Sequence, residues 1–395
     1  MCRLKRRAIL RVQKSCRTVL NKASDGIRSR RQVMSNGIYV RLQEHLDGLP
    51  VGFPKTPSGV EIAILKRIFQ PDEAEMALRL TPLPETTEDF SQRTGLDPVH
   101  AGEMLDRMAR KGQIFRMRHE GRTLYNAAPF VPGIWEYQLE NLDGELAGMV
   151  EAYFGHSLGG VISGGKIPLF RTLPVDENLT MEMEVMPYDR VKEIVRSQKT
   201  IALANCICRK ERRLAGHECN HVDDVCLVFS HMARFYVENG LARFITADEA
   251  VDALDRAERD GLVHSPLNAQ RPMGMCNCCG CCCGVLRGIT QFKLPSSKVI
   301  RSDFYCSCDP AACSGCGECV ERCQVNAIRV EDEVATVDRG QCIGCGLCVS
   351  TCLTGALTLA RKPPEEIPAL PATAGDVFKE LAMGKVRARE AAQQR

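Results

Sequence analysis

The sequence predicts a multidomain α+β chain with a mostly helical N-terminal part, a cysteine-rich middle and a small mixed C-terminal domain. Three observations carry that expectation. Residues 59–127 run through several helical periods and close on two short strands. Twenty of the 22 cysteines fall between Cys206 and Cys352. Residues 313–323 and 342–352 repeat one pattern, C-x2-C-x2-C-x3-C, at an offset of 29 positions. A chain of 395 residues has room for about two to four domains with cores of their own.

The first element is basic. Residues 1–33 carry 11 Lys/Arg against Asp25 alone, a charge of +10, and leave −7 for the remainder. Such an arm suits a nucleic acid, or is an extension preceding a start at Met34. Arg6 and Arg7 look superficially like a twin-arginine export signal, but VQKSCRTVLNKASDG after them is too polar for one. No run of 18 apolar residues suggests a membrane span. The expectation is a cytoplasmic protein with no membrane partner, its thiols serving as ligands and not as disulfides.

From Gly59, GVEIAILKRIFQ places Ile64, Leu65, Ile68 and Phe69 on one helical face, and Pro71 punctuates it. PDEAEMALRL reads as a short second helix. Then come a helix over ETTEDFSQRT, a Gly-Leu-Asp turn and a helix from about Pro98 to Lys111. IFRMR and TLYNA read as strands around a tip at His119 to Arg122. A helix–turn–helix followed by a hairpin resembles the winged-helix domain, whose second helix enters the major groove of DNA. The outward residues here include Glu103 and Asp106 beside Arg107, Arg110 and Lys111, and acids facing phosphate weaken binding.

Residues 131–200 read as a helical connector containing Trp135, to which the sequence assigns no chemistry. HSLGGVISGGK lacks the spacing of a phosphate-binding or dinucleotide loop and reads as a plain loop. In ITADEAVDALDRAERDGLVH, Thr246 and Glu249 form a capping box, Val251 and Leu254 face inward, and Gly261 ends the helix. His264 beyond it reads as structural.

The chemistry lies in the repeated motif. Cys313, Cys316 and Cys319, and likewise Cys342, Cys345 and Cys348, are spaced to wrap one corner of an iron–sulfur cube, with glycines that free the backbone. The fourth cysteine of each motif sits too far along to close the same cube. A zinc site would need only four ligands, usually as two pairs. Residues 304–360 closely resemble the bacterial two-cluster ferredoxin. The resemblance implies a βαββαβ-like core with AIRVEDEVATVD as its hairpin, and one-electron transfer as the activity. It also implies crossed ligand sets: Cys313, Cys316, Cys319 and Cys352 for one [4Fe–4S] cluster, and Cys342, Cys345, Cys348 and Cys323 for the other. Gln324 and Leu353 replace the proline that follows each fourth cysteine in that family.

Ten upstream cysteines are candidate ligands of one or two more clusters: Cys206, Cys208, Cys219, Cys226, Cys276, Cys278, Cys279, Cys281, Cys282 and Cys283. Adjacent side chains diverge, so a subset should ligate any one cluster. FYCSC adds Cys306 and Cys308. Zinc, with His217 and His221 flanking Cys219, and a thiol relay at CNCCGCCC are the alternatives. Arg209, Lys210, Arg212 and Arg213 are either a solvated face or positive charge near the clusters.

The expected domains are therefore the extension 1–33, a winged-helix-like unit 34–130, the connector 131–200, the cysteine-rich 201–300, the ferredoxin-like 301–361, and a Pro-rich linker with terminal helix 362–395. This order resembles ferredoxin-domain proteins of anaerobes. The function expected is an electron carrier serving a redox protein partner. Alternatives are a redox-sensing regulator that binds DNA, and a reductase, for which no flavin, nicotinamide or nucleophile motif speaks.

Overall fold

The computed structural model describes residues 37–163, 167–179, 183 and 185–393. The basic extension lies outside the described residues. The N-terminal part comprises helices α1 (37–48), α2 (Val60–Ile68) and α3 (Pro71–Ala77), strand β1 (Glu85–Thr86), α4 (Thr87–Thr94), α5 (Pro98–Arg110), and the hairpin β2 (Phe115–His119) and β3 (Arg122–Asn126). Local chemistry sets its helix starts. Pro71 opens α3 as its first helical residue, with Glu73 reaching back to the Gln70 amide at 2.9 Å. Thr86 and Asp97 accept from Asp89 N (3.1 Å) and His100 N (2.8 Å) and so cap α4 and α5. The short β1 pairs with β3, giving a three-stranded sheet in the order β1-β3-β2.

The connector departs from expectation. GIWEYQ is not part of a long helix: it turns tightly over Phe130–Ile134 and Glu136–Gln138, where Pro132 and Gly133 break the helical backbone. Helix α6 then runs Gly144–Ser163 and takes in HSLGGVIS, which the sequence reads as loop. Its glycines cost helix propensity, but contacts with α2, α8 (Ile207–Leu214) and α11 (Gly284–Thr290) hold the helix.

The middle is built on an antiparallel five-stranded sheet. After β4 (Phe170–Arg171) and α7 (Val191–Arg196), its strands are β5 (Ile201–Asn205), β6 (Asp224–Phe229), β7 (Ala242–Ile245), β8 (Val263–Pro266) and β9 (Gly274–Cys278), in the order β7-β5-β6-β9-β8. Helices α9 (Ser230–Glu238) and α10 (Ala247–Arg259) lie between strands in sequence, α10 starting at the Thr246–Glu249 capping box. The two-residue period of a strand sorts the side chains. Ile201, Leu203, Leu227, Phe229 and Met275 pack on α7 and α10. Ala202, Ala204 and Val228 face the other way, into one core shared with the N-terminal helices. Cys226, Cys276 and Cys278 share that second parity, which decides where the thiols point.

The C-terminal part contains α12 (Ser296–Val299), β10 (Ile300–Arg301), β11 (Phe304–Cys308), α13 (Glu318–Arg322), β12 (Ile328–Glu331), β13 (Val334–Val337) and β14 (Leu357–Arg361). β11 pairs antiparallel with β14, and β12 with β13 as the expected hairpin. Residues 347–351 form turns where a second helix was expected. A terminal helix follows the Pro-rich stretch and is docked on the rest. Val377 and Leu381 of α14 (Ala374–Gln393) pack against Val51 and Ala269, and Lys385 Nζ donates to the carbonyls of Asp47 (2.7 Å) and Leu49 (2.8 Å) at the end of α1.

Asp189, 1% exposed, ties these parts together by accepting from Arg171 (3.4 Å), Arg361 (2.9 Å) and the Met186 amide (3.2 Å). Asp189→Ala strands the buried Arg171 guanidinium and is expected to cost about 3–5 kcal/mol. Thermal unfolding followed by circular dichroism should show a midpoint several degrees lower; an unchanged midpoint would contradict the pairing.

Candidate metal centres

Two cavities in the C-terminal part collect its motif thiols. One is lined by Cys313, Cys316, Cys319 and Cys352, with Gly315, Gly317, Val330 and Ala335. The other is lined by Cys342, Cys345, Cys348 and Cys323, with Val325, Ile328 and Leu347. In each, three thiols come from one motif and the fourth from its repeat, carried across by α13 or by the turns at 347–351. Backbone amides point at sulfur: Ala327 N donates to Cys323 Sγ (3.2 Å), Ala335 N to Cys313 Sγ (3.4 Å) and Cys306 N to Cys342 Sγ (3.5 Å). Gly344 has φ +60°, and a Cβ there would lie 2.3 Å from the Phe304 carbonyl oxygen, so the loop closes only with glycine.

The two cavities differ in environment. Cys316 is exposed, whereas burial pushes the thiols of Cys323, Cys342 and Cys345 up from their ordinary value. A fifth sulfur accompanies each set. Cys306 Sγ lies 3.6 Å from Cys348 Sγ, and Cys308 neighbours Cys313. The alternation of β11 aims both cysteines inward from FYCSC. That signal is legible as period two, although the sequence offers no reason to assign these cysteines a role.

Residues 312–356 match the family model of the 4Fe-4S dicluster domain. No curated protein and no solved structure matches the chain. The match marks this segment as one that binds 4Fe–4S clusters, and it covers a small part of the 395 residues.

Upstream of the dicluster segment, the ten candidate thiols separate into two sets. Cys219, Cys279, Cys281 and Cys282 have sulfur atoms all within 4.8 Å of one another. Cys206, Cys208, Cys226, Cys276, Cys278 and Cys283 form a continuous chain of neighbouring thiols instead. All of these but Cys226 line a cavity of about 110 Å³, which Cys279 and Cys282 of the first set also border, and its opposite wall is Phe130, Trp135, Tyr153 and Phe154. A single water needs only about 10–15 Å³ measured the same way. CNCCGCCC serves both sets through its geometry. The pleat of β9 sends Cys276 and Cys278 to the cavity, the turn at Gly280 carries Cys279, Cys281 and Cys282 to the other set, and Cys283 returns as the N-cap of α11. Cys206 likewise caps α8. Sulfur at a helix N-terminus is favoured as the thiolate.

Charge in this interior is the governing quantity. Cys206, Cys276 and Cys279 are held well below the ordinary thiol value, first by hydrogen bonds from neighbouring thiols and then by Arg209. Their neighbours Cys208, Cys226, Cys278 and Cys282 are pushed up, and Cys281 is pushed up to about 12. Ten thiolates cannot coexist here without added positive charge. Arg209, 0% exposed, sits between the sets: Nη1 donates to Asn277 O (3.1 Å) and approaches Cys279 Sγ (3.8 Å), and Nε lies 3.4 Å from Asp223 Oδ1. Burial works against its charge, but the thiols of Cys206, Cys226 and Cys279 outweigh that and raise its proton affinity. Its Nη2 and the indole N–H of the cavity-lining Trp135 have no protein partner.

The basic run after Cys208 thus divides by task. Arg209 serves the thiols, Lys210 donates to the Leu139 carbonyl, and Arg213 pairs with Asp223. Arg212 pairs with Glu151, which also takes Arg287 through both carboxylate oxygens. That clamp fixes α6 against α8 and α11, the helices that begin at Cys206 and Cys283. His221 pairs with Asp260 (3.1 Å) and is not in the four-thiol set, nor is His217. Both ring nitrogens of His264 are engaged, by Asn277 (2.6 Å) and Glu258 (3.0 Å). The Phe130–Trp135 wall and the docking of Gly280 on Gln324 are invisible to sequence reading, since both are long-range contacts.

Glu211, beside this clamp, is raised from 4.5 to about 8 by burial and by Glu151. The folded state therefore binds a proton that the unfolded state has lost between those values, and stability falls as pH rises through that window. Glu211→Gln removes the loss. Its melting temperature relative to the parent should climb between about pH 5 and 8, and a difference independent of pH would refute the assignment.

Proposed function

We propose that the chain is an iron–sulfur electron-transfer protein, with Cys313, Cys316, Cys319 and Cys352 holding one [4Fe–4S] cluster and Cys342, Cys345, Cys348 and Cys323 a second. The observation that carries this reading is the pair of cavities, each lined by three thiols of one motif and the fourth of its repeat. Clusters so bound supply one-electron chemistry without an open iron for substrate. The chain's own residues set the conditions: amides aimed at Cys313, Cys323 and Cys342 favour the reduced, more negative state. Cys316 at the surface offers an edge to a redox protein partner.

The cavity bordered by Cys206, Cys208, Cys276, Cys278 and Cys283 suits a third cluster. Its thiols need cationic charge, its far wall is largely aromatic, and the unpartnered donors of Arg209 and Trp135 suit sulfur acceptors. The proposed setting is the cytoplasm of an anaerobe; among the described residues no helix is long and apolar enough to cross a membrane.

The unit from α2 to β3 has the helix and strand order of a winged helix, and we assign it to packing and protein contact. Several of its cations are paired within the chain. Arg110 pairs with Asp106, Lys111 with Glu73 (2.6 Å), and the buried Arg116 with Asp106 (2.6 Å) and Glu238 (2.9 Å). Phe115 of the hairpin stacks on Phe235 of α9 at 5.0 Å. The alternative, a redox sensor on DNA, would need those charges free for phosphate.

Anaerobically purified full-length protein should contain about twelve irons with matching sulfide, about four per cube. Cys352→Ser and Cys323→Ser should each perturb one dicluster cluster and leave the other. A colourless protein, or zinc in those quartets, would overturn the reading; retention on duplex DNA that Arg107→Ala and Arg110→Ala abolish would favour the sensor.

A further inference from the structure

We infer that Cys219, Cys279, Cys281 and Cys282 hold a single zinc ion that is separate from the iron–sulfur clusters and fastens the middle region to the dicluster segment. The sulfur of Cys281 lies 3.8 Å from that of Cys219 and 3.6 Å from that of Cys282, and all four lie within 4.8 Å of one another. A tetrahedral ion with bonds of about 2.3 Å to sulfur has ligand–ligand edges of about 3.8 Å. Thiolates on the four outer corners of a cube lie farther apart, because each binds a different iron. Among the described residues, no other set of three or more His, Cys, Asp or Glu brings its ligand atoms this close, and neither dicluster quartet does. The four-thiol set has the geometry of one ion, whereas the dicluster sets have room for more.

Four thiolates with no carboxylate, imidazole or open position make a closed site of the structural kind. Thiolate sets bind zinc more tightly than ferrous iron. Three of the four thiols are buried, packed against Val225, Ala257 and Leu262. Four thiolates around a divalent ion leave a net charge of about −2 by the charges of that ligand set, and the Arg209 guanidinium lies 3.8 Å from Cys279 Sγ to offset it.

Cys219 comes from the connection between α8 and β6, and the other three from the turn between β9 and α11, so the ion joins segments about 60 residues apart in the chain, for a stabilisation of the loop-closing kind. That turn is seated on the dicluster segment. Gly280 N donates to Gln324 Oε1 at 2.7 Å, and a Cβ at Gly280 would lie 2.1 Å from the Gln324 carbonyl oxygen. Gln324 directly follows Cys323 and stands where the ferredoxin family carries proline. The zinc ion thus rigidifies the loop against which the second cluster's shell is packed, and it takes no part in electron flow.

The test is metal analysis and zinc K-edge absorption on the full-length protein purified anaerobically from medium supplying both iron and zinc. We expect one zinc per chain alongside the full iron content, with four sulfur neighbours at about 2.3 Å. Cys219→Ser and Cys281→Ser should lower zinc to well below one per chain while iron and the dicluster spectrum persist. Zinc that is absent or substoichiometric, zinc with nitrogen or oxygen neighbours, a single iron at the site, or loss of about four irons in Cys219→Ser would each overturn the assignment. The absorption measurement uses the parent protein, so it decides even if a variant fails to fold. A deficit of iron with zinc intact would count against the electron-transfer reading alone.

Discussion

A cationic side chain walled in by sulfur is the constraint from which the rest of the middle region follows. Arg209 is wholly buried and belongs to both upstream thiol sets, approaching Cys279 directly and raised in proton affinity by Cys206 and Cys226. An unpaired buried guanidinium would be costly, and so would unpaired thiolates. Each justifies the other only in part, because ten thiols outnumber one arginine; the metal ions we propose would complete the balance. The Glu151 clamp belongs to the same logic, since it holds the helix starts where Cys206 and Cys283 sit without adding charge to the cavity.

The two halves of the metal-binding region are linked by backbone and not by shared ligands. Gln324 meets the turn at Gly280, and Arg322 donates to the Arg259 carbonyl at the end of α10 (3.0 Å). The dicluster segment is therefore seated on the cysteine-rich unit, and Cys316 of its outer quartet is exposed. The N-terminal helices share a core with the sheet and supply the aromatic wall of the thiol cavity. Their place in the molecule is to enclose, and their paired arginines suit that role.

Legibility from sequence tracked the range of the interactions. The helix cap at Thr246 with Glu249 is local and is readable from a few residues, and the structure has it. The doubled motif is also local, and the two quartets it implied are the ones that line the two cavities. The ten upstream cysteines could be nominated but not sorted, because the sorting depends on which strands of the sheet are neighbours: Cys226 and Cys276 meet only because β6 pairs with β9. HSLGGVIS is helical where its glycines suggest a loop, because glycine content is a weak signal against a helix packed on α2, α8, α11 and α12. The place of Trp135 in the cavity wall is not legible because the thiols across the cavity, from Cys206 onward, lie far along the chain.

Anaerobic reductive titration followed by electron paramagnetic resonance decides whether two cubes lie side by side in the dicluster segment and exchange single electrons, as proposed. One electron should be taken up per cluster, and the fully reduced spectrum should be broadened by magnetic coupling between two neighbouring paramagnets. A protein that takes up no electrons, or whose reduced spectrum is that of one isolated cluster, would contradict the proposal.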